Sequence, residues 1–186
     1  MLFPLNSNYL ESQENQNKNS YDSYGSNMGI SSSDLFNFNK FKQTFMDLLN
    51  EKRRIHKVGT LYENYDISKI AKIHAEKLAD QSNFSMGPKF YKDEKLGEIV
   101  YIISGSIPKA ENVINSWYNQ SKNFNWEDPQ QNKGIVAHFS QMLWRDTKEV
   151  GIAFEKTSKG KYYIVANFWP CGNIQGKEKE NLFRAD

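Results

Sequence analysis

Few side chains in this sequence could do covalent chemistry. Three histidines, His56, His74 and His138, and one cysteine, Cys171, are spread over 186 residues. His138 and Ser140, two positions apart, are the nearest pairing of a base with a hydroxyl. On a helix, positions i and i+2 point about 200° apart, so this pair cannot form a nucleophile–base dyad. There is no H-E-x-x-H string to seat a zinc ion beside its general base, and no G-x-S-x-G string for a nucleophile elbow. One cysteine excludes an internal disulfide, a zinc ribbon and an iron–sulfur cluster. It favours a reducing compartment, and without a signal for thiolate activation it reads as a packed thiol. His74 falls on an apolar helical stripe and reads as a hydrogen-bonded core residue. No catalytic residue and no cofactor are predicted, so the expectation is a protein that is not an enzyme.

The elements that must position these residues follow from periodicity. Phe38, Phe41, Phe45, Leu48, Leu49 and Ile55 recur at helical spacing and predict a first helix from Leu35 to about His56. Lys52, Arg53, Arg54, His56 and Lys57 cluster at its end, a placement that complements the helix dipole, with an anionic-surface contact as the sharper reading. A second helix, capped by Asp66, runs to about Gln81 with Ile67, Ile70, Ala71, His74, Ala75, Leu78 and Ala79 on one face. Residues 84–95 are expected as a loop and Glu98–Ile103 as a strand. Ser106 and Pro108 announce a third helix with Ala110, Val113, Ile114 and Trp117 facing inward. After a polar, aromatic-bearing stretch over 122–134 come a short helix from Ala137 to about Arg145 and two strands, Glu149–Glu155 and Lys161–Phe168, joined by a Thr157–Gly160 turn. Both faces of the last strand are apolar, which predicts a sheet covered on both sides in an α+β fold.

Composition bounds the partners. Apolar residues make up 38%, charged residues 25%, and mean hydropathy is −0.75, so a polar segment should lie beside a normal core. Residues 1–34, rich in Asn, Ser and Gln, are expected to be a disordered tail, leaving 35–186 as the folded domain. The tail holds Lys18 against Glu11, Glu14, Asp22 and Asp34; with +2 overall, residues 35–186 carry +5. That charge is too small to imply nucleic acid but suits anionic surfaces. No run reaches the ~18 apolar residues of a membrane span. The first residues lack a secretory-signal pattern, and Leu2 excludes N-myristoylation, so a cytoplasmic location is expected.

Four strings then point in one direction. His138-Phe139-Ser140-Gln141-Met142-Leu143-Trp144-Arg145-Asp146-Thr147 resembles the signature G-H-[FY]-[ST]-Q-x-x-W-x-x-[ST] of the CAP superfamily (cysteine-rich secretory proteins, antigen 5, pathogenesis-related 1), with Ala137 for the leading Gly. Ala166-Asn167-Phe168-Trp169-Pro170-Cys171-Gly172-Asn173-Ile174 is similar to a second signature, C-N-Y-x-P-x-G-N, with Ala166 in place of its cysteine. Gly97-Glu98-Ile99-Val100 resembles G-E-N-[LI], and Trp117-Tyr118 matches the W-Y pair of the third helix. Order and spacing agree over about residues 36–182.

The resemblance implies a three-layer α–β–α sandwich, closest to the cysteine-poor, Golgi-associated plant-pathogenesis-related-like branch. It also implies a cavity in which two His and two Glu can hold a divalent metal such as zinc. Glu98 and His138 stand at two of these positions, Gln120 replaces the second Glu, and the first His, expected near 84–86, is absent. The resemblance therefore implies a degenerate tetrad of Glu98, Gln120 and His138, read as one hydrogen-bonded polar cluster without metal. The function it implies is peripheral binding to lipid, an anionic phospholipid or a sterol, at the Golgi or another endomembrane, with a homodimer as a further expectation. The alternative is a secreted CAP effector or allergen-like protein, exported non-classically and acting through protein partners.

Overall fold

The computed structural model describes residues 32–80, 87–132 and 136–185. The tail expected over 1–34 lies outside these residues up to position 31. The chain divides into two compact units, Met1–Phe41 and Lys42–Asp186. In the first, the described residues are the opening turns of helix α1 (Ser32–Ile55), which starts three residues before the expected Leu35.

The second unit contains the rest of α1 and every other element. These are β1 (Tyr62–Glu63), α2 (Tyr65–Asp80), β2 (Phe90–Tyr91), β3 (Glu94–Lys95), β4 (Gly97–Ser104), α3 (Ala110–Tyr118), α4 (Ala137–Leu143), β5 (Glu149–Lys156), β6 (Lys161–Trp169) and α5 (Glu178–Asn181). Two 3-10 turns, Asn119–Asn123 and Pro129–Gln131, lie between α3 and α4. The main sheet has the order β1-β5-β6-β4, with β1 parallel to β5 and the other pairs antiparallel. The central β6 is buried along seven of its nine residues, as a strand covered on both faces must be.

Alternation along the strands assigns the two faces. On one, Ala153 and Val165 meet Ala71 and Ala75 of α2. The helix approaches so closely that a Cβ on Gly151 would lie 2.2 Å from the Ser68 nitrogen and 2.3 Å from the Ile67 carbonyl carbon. Ser68 Oγ also accepts a hydrogen bond from the Ile152 N–H, 3.1 Å away, which ties α2 to β5. On the other face lie Ile152, Ala166 and Ile99, and here Gly97 looks onto Gln141 of α4. Helices on both faces make the α–β–α sandwich that the resemblance implies. The inward face of α3 is Ala110, Val113, Ile114 and Trp117, as expected.

Several local expectations are corrected. Asn64, not Asp66, caps α2: its Oδ1 accepts from the N–H groups of Asp66 (2.9 Å) and Ile67 (3.2 Å). The loop expected over 84–95 contains a tight β2–β3 hairpin whose turn residues, Lys92 and Asp93, both have positive φ (50° and 63°). This is the conformation of a type I′ turn, built here without glycine. The basic cluster ending α1 is not a solvated dipole complement throughout. Arg53 is fully buried and donates to the carbonyls of Gly59, Met142, Trp144 and Thr147. His56 is buried between Tyr118, Trp126 and Phe139. Lys52 is half-buried, pairs with Glu51 and lies over the Tyr118 ring, while Arg54 and Lys57 are exposed. Lys57, at φ 56°, closes α1 with paired bonds from its own N–H to Arg54 O and from Val58 N–H to Arg53 O, a Schellman ending.

Candidate functional site

Gln120 sits in the 3-10 turn that follows α3, opposite the N-terminus of α4. The first N–H groups of a helix lack intrahelical partners, and Val136, at the cap position, supplies no side-chain acceptor. Gln120 does this from across the fold: its Oε1 accepts from the N–H of His138 (3.0 Å) and of Phe139 (3.2 Å). With the oxygen so engaged, Nε2 faces His138 Nδ1 at 3.0 Å and donates to it. Nδ1 is then an acceptor, and the neutral ring carries its proton on Nε2. Burial holds His138 below the ordinary histidine pKa, consistent with a neutral ring packed edge-on to Trp117 at 6.0 Å.

Glu98 belongs to a different cluster. Its Oε2 accepts from His74 Nδ1 (2.7 Å) and Asn167 Nδ2 (3.0 Å), and its Oε1 from Lys89 Nζ (3.2 Å). Lys89 Nζ also lies 3.3 Å from His74 Nε2. Burial lowers the His74 pKa more than the Glu98 charge raises it, so His74 is a neutral donor to the carboxylate rather than an ion-pair partner. His74 is thus the hydrogen-bonded core histidine the stripe predicts.

The single cluster of Glu98, Gln120 and His138 does not form: Glu98 hydrogen-bonds to neither of the other two. The reason is strand alternation. Glu98 is paired with Asn167 on the sheet face that carries α2, whereas its neighbour Gly97 faces α4. Sequence reasoning missed His74, Lys89 and Asn167 as the partners of Glu98, because a helix, a loop and a strand bring them together from 24, 9 and 69 residues away.

The signature strings converge on Gln141 instead. A Cβ on Gly97 would lie 2.1 Å from Gln141 Oε1, and one on Gly172 2.7 Å from Gln141 Nε2. The Gly172 N–H donates to Gln141 Oε1 at 3.0 Å. Next to it, Ser140 Oγ donates to Asn173 Oδ1 at 2.6 Å, and Asn173 Nδ2 donates to Ala137 O at 2.9 Å. Ser140 has no bond to His138, as their helical offset requires. The glycines flanking Glu98 and Asn173 were the signal in the sequence for this close packing.

A cavity of about 400 Å³ opens beside these groups, with Lys89, Lys95, Glu98, Gln141 and the half-buried free Cys171 in its wall. A smaller one, about 150 Å³, is walled in part by Phe124, Pro129 and Asn132 of the polar-aromatic segment. The donor set does not fit a divalent cation. The Glu98 carboxylate already takes three donors, His138 presents a proton at Nε2, and among the described residues no three His, Cys, Asp or Glu converge. No helix among the described residues is long and apolar enough to cross a membrane.

Residues 46–171 match the family described as CAP: Cysteine-rich secretory protein family. Golgi-associated plant pathogenesis-related protein 1 of Homo sapiens is 29% identical over 148 residues, 77% of this chain and 92% of that protein. Cysteine-rich secretory protein 1 of Mus musculus is 30% identical over 119 residues, 61% of this chain but only 47% of that longer protein. Among solved structures, Schistosoma mansoni venom allergen-like protein 4 superposes with a TM-score of 0.55 at 26% identity, covering 84% of this chain and 97% of the other. With three of its four signature strings meeting around Gln141 inside an α–β–α sandwich, the chain belongs to the CAP family.

Proposed function

We propose that this CAP domain works without catalysis, as a peripheral binder of anionic membrane surfaces. The observation that carries the reading is the +5 charge of residues 35–186, set beside a candidate centre in which Glu98, His138 and Ser140 are each engaged by a hydrogen-bond partner. Ser140, His138 and Glu98 each hold a structural partner, so none of the three is a nucleophile beside a free base or a free base itself. A domain of this charge gains attraction to an anionic leaflet that falls off within a Debye length, so the association is reversible and salt-sensitive. The human relative that the chain nearly spans is named for the Golgi, which supports an endomembrane as the site of action. Flotation of the full chain with vesicles tests this. Binding to vesicles containing phosphatidylserine, absent from pure phosphatidylcholine and weakened by salt, is expected. Failure to bind either kind at low salt would overturn it and favour a module that acts through protein partners.

A further inference from the structure

At one end of the main sheet, charge and exposed apolar surface meet. The pairing register sets Ser104, the last residue of β4, opposite Lys161, the first of β6, and sets Lys156 of β5 opposite Tyr162. The β5–β6 turn between them exposes Lys159 and closes through Gly160 at φ 73°. Lys156 and Lys161 lie over the rings of Tyr162 and Tyr163, their Nζ atoms 5.3 and 5.0 Å from the centroids. Among the described residues none of the three lysines has a carboxylate partner. The nearest acid in sequence, Glu155, is taken by Lys72 of α2.

Two isoleucines stand out of the fold at the same end. Ile102, opposite Tyr163 in the register, is 50% exposed, and Ile107 is 61% exposed. Ile107 follows Ser104 by three residues, so it lies within about 11 Å of the strand's end. The loop that carries it also exposes Lys109.

From this juxtaposition we infer that the β5–β6 hairpin tip and the loop leaving β4 form the membrane-docking face of the protein. Lys156, Lys159 and Lys161 contact anionic headgroups while Ile102 and Ile107 enter the interfacial region. The inference rests on the membrane reading above and names its surface. A soluble polyanion would engage the lysines and leave both isoleucines in water; a bilayer takes both. The tip closes a hydrogen-bonded hairpin, which limits the ordering entropy lost on docking.

The test measures partitioning of the full chain onto phosphatidylserine-containing vesicles. Each lysine near such a surface contributes about fivefold, so Lys156→Gln/Lys159→Gln/Lys161→Gln should lower partitioning by roughly a hundredfold at low salt. The charge-matched control Arg54→Gln/Lys122→Gln/Lys179→Gln, exposed positions elsewhere, should lower it less than tenfold. Ile102→Thr/Ile107→Ser keeps the charge and should lower partitioning onto the same vesicles at low salt by about tenfold. Melting temperatures near wild type confirm that the variants fold, and the lysine and isoleucine variants test the face separately. If the wild type binds and the tip variants behave like the control, the docking face is wrong and the membrane reading stands. If the wild type does not bind, both fall. If the lysine variant weakens heparin and vesicle binding alike while the isoleucine variant changes neither, the occupant is a soluble polyanion and the inference is overturned.

Discussion

Replacing Arg53 by methionine should cost at least about 3 kcal/mol of stability, although the substitution removes a buried charge. The guanidinium is fully buried at the end of α1, and among the described residues no carboxylate pairs with it. Nε donates to Gly59 O at 2.6 Å, Nη1 to Met142 O at 2.8 Å and Trp144 O at 3.0 Å, and Nη2 to Thr147 O at 3.2 Å. Burial pushes its pKa down to about 10, a fall that corresponds to roughly 3 kcal/mol of disfavoured charge. Against that stand four hydrogen bonds from a charged donor, each worth about 1.5–3 kcal/mol, or about 6–12 kcal/mol together. The bonds win, and methionine removes a donor from the carbonyls of Met142, Trp144 and Thr147, where the CAP signature string ends, and from that of Gly59. Arg53→Lys keeps the charge but has one nitrogen to reach four acceptors, so it should lose about 2 kcal/mol. Urea unfolding followed by tryptophan fluorescence measures the effect. At a slope near 2 kcal/mol/M, Arg53→Met should lower the midpoint by about 1.5 M with the slope unchanged. A loss below about 1 kcal/mol, or a gain, would show that the desolvation cost dominates, as it does for some buried ion pairs, and would refute the ledger.

The same unfolding assay tests Gly151→Ala, whose methyl would press on the α2 backbone and should cost about 3 kcal/mol, while Gly59→Ala, with open space at its Cβ, should change stability by less than about 1 kcal/mol. All three histidines are held below the ordinary pKa by burial, so the unfolded chain binds protons that the folded chain refuses. Stability present above pH 6.5 should therefore be lost below it, by at most about 1.4 kcal/mol per pH unit for each histidine; a melting temperature flat from pH 7.5 to 5.5 would contradict this. Long-range nitrogen-15 correlation spectra of His138 should show the proton on Nε2 in the wild type and on Nδ1 in Gln120→Glu, because a carboxylate can only accept; the same form in both proteins would disprove the amide orientation. Calorimetric titration of Gln120→Glu should still show no micromolar zinc uptake, since Glu98 remains held by His74, Lys89 and Asn167.

The sequence predicts most of the fold because its long elements are strongly periodic. The four inward residues of α3 and the two long strands β5 and β6 are read directly from their spacing. Short or paired elements were not legible. Strand β1 has two residues and exists only because β5 runs parallel beside it, and the Lys92–Asp93 turn carries none of the usual glycine signal. Asn64 caps α2 from two positions before the acid that the pattern suggests, since Asn and Asp compete equally for that role. At the candidate site, the identities of Glu98, Gln120 and His138 were visible, but their association was not. A one-residue alternation at the start of β4 decides which face Glu98 joins, and the family pattern does not record it. Arg53 and His56 sat in a run that charge alone assigns to the surface, and only the packed structure turns them inward.

The most direct test of the account is the salt dependence of vesicle binding by the full chain. Partitioning onto phosphatidylserine-containing vesicles should fall steeply between low and high salt and be absent on pure phosphatidylcholine. Equal binding to both vesicle types, or none to either, would contradict a domain that uses its +5 charge to hold an anionic membrane.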